Sequence, residues 1–237
     1  MISTFVNVYN MIPKHERNKF IYDTFDKYAK EDSELLESFN KCEGFGELPF
    51  SYNWKLLVDD MPTDFKFLEI GVYKGRVLAQ VAMCAKREKK NPTIIGVTPL
   101  STSGDKYSRY ENDDFRSAIH KSFDTCKADK STLKIIQGFS QESHVVAEAA
   151  THGPYDIVFI DGCHDYEIVC QDIKNYLPML KSGGYFVMDD CACFIEHPYG
   201  RFHGHPDVSR AAGEYLDKSS EVTYCFAVGH NRLWRKN

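Results

Sequence analysis

The 237-residue sequence contains no apolar run of membrane-spanning length, which argues against an α-helical membrane protein. It has no excess of positive charge. The net charge is −5 and the pI about 6.0, so there is no global basic field to attract nucleic acid. The densest basic run, Lys86–Lys90, reads as a solvated helix end that complements the helix dipole. Among eight cysteines there is no CxxC pair, and Cys191-x-Cys193 has no partner pair at zinc-finger spacing. Cys84 and Cys225 sit within apolar runs and read as core residues. The N-terminus lacks a basic n-region and a small-residue cleavage site. These absences together predict a soluble, cytoplasmic protein with reduced thiols, free of membrane and nucleic-acid partners. Internal repeats and low-complexity linkers are missing too. The expectation is one compact domain over 61–237 with a helical cap over 1–60.

What is present is enough to build a sizeable core: 43% of residues are hydrophobic and 14% aromatic. The most informative stretch is 155–190. Ile157–Ile160 is a short apolar run ending in Asp161. Val169, Ile173, Tyr176, Leu177 and Leu180 follow at helical spacing. Ser182-Gly183-Gly184 breaks that helix, and Tyr185–Met188 is a second apolar run ending in Asp189-Asp190. Two buried strands joined by a helix pair in parallel and end on the same sheet edge. Asp161 then faces Asp189 and Asp190 across one strand spacing, about 5 Å. Carboxylates gathered so closely need a cation between them or shifted pKa values.

The rest of the chain extends this pattern. Residues 14–40 read as helical, with Trp54–Val58 as one more short helix. Phe67–Ile70, Thr93–Val97 and Leu133–Gln137 read as strands, separated by helices at 77–85 and 112–127. Glu142–Ala150 and Asp207–Leu216 read as helices, the latter capped by Asp207. Val222–Val228 and Arg232–Trp234 flank Gly229-His230-Asn231 as a terminal hairpin. The predicted fold class is α/β: a Rossmann-like, mostly parallel seven-stranded sheet whose last strand is antiparallel.

The turn after Phe67–Ile70 is Gly71-Val-Tyr-Lys-Gly75. No Gly-Lys-Ser/Thr follows, which excludes a phosphate-cradling P-loop. Tyr73 occupies the middle-glycine position of a dinucleotide fingerprint and would crowd a pyrophosphate, which argues against NAD. Glu69, just before the turn, suits a cofactor bearing an amine or positive charge. An ordinary βα turn with an exposed glutamate is an equal reading of these residues.

FLEIGVYKG resembles motif I of class I S-adenosylmethionine-dependent methyltransferases. FIDGCHDYE followed by LKSGGYFVMDD is similar to the DGxHxY and GGxxxxDD motifs of a branch containing macrolide-sugar and rhamnosyl O-methyltransferases. The resemblance covers roughly 65–190. It implies S-adenosyl-L-methionine as cofactor, with Glu69, Gly71 and Gly75 lining its methionine end beside Tyr73. Ser140 and Gln141 fall where the adenosine half is contacted, although Ser140 also reads as a helix cap. Thr98 stands where the superfamily usually has an acid for the ribose hydroxyls; Asp105 or Glu111 is a candidate substitute. Asp161, shared with the cofactor set, matches a divalent-metal ligand together with Asp189 and Asp190. Oxygen ligands suit Mg²⁺ or Mn²⁺. His164 matches a general base, and a histidine suits that task near neutrality. The loop at 191–206, with His197, His203, His205, Tyr199 and Arg201, reads as a substrate wall. The implied activity is metal-dependent methylation of a sugar hydroxyl on a glycan or small molecule. Alternatives are a metal-dependent catechol or phenol O-methyltransferase and a cofactor-binding module without catalysis. The N-terminal helices are a candidate homo-oligomer interface.

Overall fold

The computed structural model describes residues 2–196 and 200–237. Four helices come first: α1 (Ile2–Met11), α2 (Arg17–Glu31), α3 (Ser33–Lys41) and α4 (Leu48–Asp60). An alternating region follows: β1 (Asp64–Ile70), α5 (Arg76–Arg87), β2 (Asn91–Thr98), α6 (Phe115–Thr125), β3 (Leu133–Gln137), α7 (Ser143–His152), β4 (Tyr155–Ile160), α8 (Tyr166–Tyr176) and β5 (Leu180–Met188). The chain ends with α9 (Pro206–Tyr215), β6 (Val222–Val228) and β7 (Asn231–Lys236).

The strands form one sheet in the order β3-β2-β1-β4-β5-β7-β6. β1 to β5 pair in parallel, and β7 inserts antiparallel between β5 and β6. This is the Rossmann-like sheet expected from the motifs. All six residues of β4 are buried, as a central parallel strand with both faces covered requires.

The helical expectations need adjustment at their ends. The segment read as helical over 14–40 is two helices, interrupted at Asp32. That residue caps α3 by accepting from the Leu35 N–H at 3.2 Å, so its side chain competes with helix continuation. The short helix expected at 54–58 is the last part of α4. α9 begins at Pro206, with His205 as its N-cap; Asp207 lies in the first turn and is not the cap. Ser140 does not cap α7 either, since Glu142 holds that position.

Strand alternation divides the core in two. Phe65 and Phe67 of β1, Ile157 and Phe159 of β4, and Tyr185 and Val187 of β5 face the layer built by α1–α6. Leu68 and Ile70, Val158 and Ile160, and Phe186 and Met188 face α7–α9. Side chains two residues apart share a face. Glu69, Asp161 and Asp189 therefore continue the first series onto the carboxyl edge of the sheet, on the side of the N-terminal helices.

Trp54 of α4 locks those helices to the sheet. Its ring meets Phe159 at 4.7 Å and Phe67 at 5.9 Å, edge to face, and is fully buried. Phe25 of α2 adds a second anchor against Phe226 at 5.8 Å. Among the described residues no helix is long and apolar enough to cross a membrane, and all eight cysteines are free thiols. Trp54→Ala is expected to cost about 3–5 kcal/mol of unfolding free energy. Urea denaturation followed by far-ultraviolet dichroism measures this, and a loss below about 1 kcal/mol would show that the helices do not depend on this contact.

Candidate active site

The site is built where the β1 and β4 turns touch. The Asp161 N–H donates to the Ile70 carbonyl at 2.8 Å, and the Gly71 N–H donates to the Val97 carbonyl at 2.9 Å. Gly71 has φ +95°, and a Cβ there would lie 2.0 Å from the Asp161 carbonyl oxygen. Only glycine permits this approach. Gly75 is needed for packing: its φ is +76°, and a Cβ would press on Ile119 of α6 at 3.0 Å.

Two cavities meet at this seam. The first, about 320 Å³, is lined by the β1 turn, the end of β2 and the start of the 99–114 loop, and the turn after β3. The second, about 550 Å³, lies between the N-terminal helices, the acidic strand ends and the 202–205 segment. Gly71, Tyr73, Tyr110 and Asp161 line both. Of the residues expected at the cofactor, Gly71, Tyr73, Thr98, Ser140, Gln141 and Asp161 line the first cavity. Glu69 and Gly75 do not; both face the second. For Glu69 the reason is strand alternation, which places it beside Phe67 and away from Ile70. Thr98 Oγ1 accepts from the Leu100 N–H at 3.2 Å, and Ser101, Ser103 and Gly104 extend the wall beyond it.

The acidic strand ends lie side by side. Ile160 pairs with Met188, so Asp161 and Asp189 leave adjacent strands at the same level. Burial and the charges of Asp189, Asp190 and Glu69 push the Asp161 carboxyl well above its usual range. Burial likewise raises Glu69, to about 8, with help from Asp189. Burial raises Asp189 too, but the His230 imidazolium outweighs it and holds that carboxyl below its ordinary value. His230 Nε2 lies 3.2 Å from Asp189 Oδ1 and 3.6 Å from Asp190 Oδ1. Asp190 itself is left-handed, with φ +53°, the kind of strained backbone that collects at functional sites.

His164 is clamped at both nitrogens. Nδ1 is 2.8 Å from Asp105 Oδ2 and Nε2 is 2.9 Å from Asp190 Oδ2. The same Asp105 oxygen accepts from the His164 backbone N–H at 2.7 Å. Its other oxygen accepts from the Tyr107 and Ser108 N–H groups at 2.8 Å, which folds the 105–108 turn. Asp105, a candidate for the ribose, lines the first cavity while its carboxylate is engaged by His164. Burial lowers the His164 pKa, but Asp190 and Asp105 outweigh burial and raise it overall.

At the start of α9, His205 reaches the same carboxylate. Its N–H donates to the Asp190 carbonyl at 2.8 Å, and its Nε2 is 3.6 Å from Asp190 Oδ2. Gly204 makes this turn feasible, since a Cβ there would meet the Asp190 backbone at 2.2 Å. Tyr107 stacks on His205 at 4.1 Å, and Phe202 packs edge-on to it at 5.2 Å. A second aromatic group, Phe45, Tyr73 and Tyr110, borders the opposite side, with successive rings 5.0 and 5.2 Å apart. Arg201 is 3.7 Å from Glu47. His197 and Tyr199 lie outside the described residues. Sequence reasoning missed His230 and the Asp105–His164 pair; the hairpin tip of His230 next to β5 was the available signal for the first.

The donor set fits a divalent cation. Glu69, Asp161, Asp189 and Asp190 all line the second cavity, and Glu69 Oε2 is buried with no hydrogen-bond partner; among the described residues the three-ligand groups gathered within 4.8 Å are Asp189–Asp190–His230 and His164–Asp190–His205, neither of which includes Asp161. The first cavity fits a nucleoside-bearing cofactor: it has an apolar wall from Val97, Phe115 and Ile168 and hydroxyl groups from Thr98, Ser101 and Ser103.

Residues 68–191 match the family model described as "Methyltransferase domain". The chain belongs to this methyltransferase family. It is 27% identical over 215 residues to an uncharacterized protein of Acanthamoeba polyphaga mimivirus, covering 83% of this chain and 87% of that one. Solved structures share the fold. A putative caffeoyl-CoA O-methyltransferase from Staphylococcus aureus aligns with TM-score 0.61 and 16% identity, over 92% of this chain and 99% of its own. The TDP-rhamnose 3′-O-methyltransferase CalS11 of calicheamicin biosynthesis gives TM-score 0.55 and 15% identity, over 92% and 93%. MycE of the mycinamycin pathway, in complex with Mg, SAH and mycinamycin VI, gives TM-score 0.53 and 21% identity, over 86% and 54%.

One buried acid of this methyltransferase stands apart from the cluster. Asp172 of α8 is fully buried behind Gly162, and neither carboxylate oxygen has a hydrogen-bond partner. Burial raises it from 3.8 to about 7, against a smaller opposing pull from Ser140. A folded-state pKa above the unfolded one means that the folded state holds the proton more tightly. The stability this gives is present below the unfolded value and is lost as pH rises through about 7. Asp172→Asn should stabilise the protein by about 1–3 kcal/mol near pH 8 and by much less near pH 5. Urea melts at the two pH values check the difference, and an equal effect at both would show that Asp172 is not protonated on folding.

Proposed function

We propose that this methyltransferase moves a methyl group from S-adenosylmethionine to a hydroxyl oxygen, with a sugar as the acceptor and a divalent cation at the aspartates. The observation that carries the reading is the meeting of the two cavities at Asp161, beside a histidine whose Nδ1 is held by a carboxylate.

Asp161, Asp189 and Asp190 would hold the cation, which when bound supplies a Lewis acid that orients a vicinal diol and acidifies its hydroxyl. S-adenosylmethionine supplies an activated methyl on a sulfonium sulfur. Asp105 holds the proton on His164 Nδ1; a cation that draws the Asp190 carboxylate away from Nε2 would free that nitrogen to receive the acceptor's hydroxyl proton as the oxygen–methyl bond forms and the sulfonium carbon–sulfur bond breaks. Gly71 and Tyr73 set the seam through which donor and acceptor approach, and holding both partners there supplies much of the acceleration. The aromatic walls at Tyr107–His205 and Phe45–Tyr73–Tyr110 offer flat apolar faces for the C–H face of a pyranose. The TDP-rhamnose acceptor of CalS11 supports the sugar reading. The same walls suit a catechol or phenol ring, which is the second reading; a screen of rhamnose-type glycosides against catechols separates the two.

Methyl transfer from labelled S-adenosylmethionine is expected to fall on addition of EDTA and to return with Mg²⁺ or Mn²⁺. Undiminished activity without a divalent ion would remove the cation from the mechanism. His164→Ala should lower kcat by about 10²–10⁴-fold while S-adenosylhomocysteine binding, measured by calorimetry, stays near that of the parent. Loss of binding would make His164 a structural residue.

A further inference from the structure

The imidazoles around Asp190 set up a second chemistry beside the all-oxygen set. His164 Nε2 lies 2.9 Å from Asp190 Oδ2, and His205 Nε2 lies 3.6 Å from the same oxygen. The three ligand atoms fall within 4.8 Å of one another. An ion about 2.0–2.2 Å from each of its ligands spaces neighbouring ligand atoms by about 3–3.5 Å. The two distances to Asp190 bracket that spacing.

The groups behind these ligands are also those of a metal site. A metal-binding histidine generally donates its other ring N–H to a carboxylate, which fixes the tautomer and aims the lone pair. Asp105 does this for His164 at 2.8 Å from Nδ1. Asp105 is tied in turn by three backbone N–H donors, from Tyr107, Ser108 and His164. The His205 ring is oriented by Tyr107 stacked on one face and Phe202 at its edge. The cluster opens onto the second cavity, which leaves room for water or another ligand to complete the coordination.

Two imidazoles and one carboxylate are a poor set for Mg²⁺, which prefers oxygen, and a good one for a borderline transition ion. We propose that His164, His205 and Asp190 form a binding site for a borderline divalent ion such as Zn²⁺, separate in donor chemistry from the aspartate site, whose occupation takes the His164 Nε2 lone pair and stops turnover. The inhibitory half of this proposal rests on the methyltransferase reading with His164 as base; the binding half does not. Asp190 links the two sites, with Oδ2 toward the imidazoles and Oδ1 toward His230.

Co²⁺ is the probe, since its visible absorption reports nitrogen ligation and coordination number. The expected result is a 1:1 complex whose bands are displaced by Zn²⁺ and persist in a large excess of Mg²⁺. His205→Ala and Asp105→Asn should each weaken Co²⁺ and Zn²⁺ binding by about 10–100-fold. Dichroism and S-adenosylhomocysteine calorimetry confirm that the variants fold, and His205→Gln serves if His205→Ala does not. In the transfer assay, Zn²⁺ should inhibit in the presence of saturating Mg²⁺. Absence of Co²⁺ binding, bands abolished by Mg²⁺, or unchanged affinity in folded His205 variants would overturn the site. Histidine-dependent binding without any detectable methyl transfer would instead strike the transferase reading and leave the site standing.

Discussion

The rest of the structure depends on the alternation and register of three adjacent parallel strands. Phe67, Phe159 and Val187 point to one face of β1, β4 and β5, and the next residues on that face are Glu69, Asp161 and Asp189. Hydrophobic packing below thereby drives acids together above, where they would otherwise repel. Burial, and after it mutual repulsion, raise Asp161 and Glu69, while His230 holds Asp189 below its ordinary value against burial. The cluster is tolerable because the His230 imidazolium and the nearby Arg76 offset its charge. Arg76 is itself pushed below its usual pKa by burial, with Asp161 and Asp189 pulling the other way.

Around that constraint the remaining elements act as positioners. At Gly71 and Gly204 backbone runs against backbone, one position joining the cavities and the other returning His205 to Asp190. The 99–114 loop serves both cavities: Ser101 and Ser103 line the first, Tyr107 and Tyr110 face the second, and Asp105 holds His164 between them. Lys106 ties the same loop to Asp165 at 3.4 Å and to Asp207 of α9. A change in the wall of the first cavity can therefore be felt at the histidine.

The sheet was legible in the sequence because β1, β3, β4 and β5 are short runs followed by glycine or aspartate, and because the central parallel strands are buried on both faces. α1 was missed: only Ile2 and Tyr9 are buried, too few to make an apolar stripe. The aspartate cluster could be read because strand, helix and strand fix its geometry within thirty-odd residues. Asp105 could not, since it meets His164 across 59 positions from a loop without periodicity. His230 required knowing that β7 lies beside β5. The position of Glu69 on the face of the N-terminal helices was readable from the spacing Phe65, Phe67, Glu69.

The central claim is that the methyl donor and the cation meet at Asp161. With Mn²⁺ bound and no acceptor present, nuclear relaxation of S-adenosylmethionine carrying a ¹³C-labelled methyl tests it most directly. The account predicts strong paramagnetic relaxation of the methyl carbon and a much weaker effect on the adenine ring, which it assigns to the far end near Ser140. Equal relaxation at both ends, or none beyond that of the diamagnetic Mg²⁺ control, would contradict it.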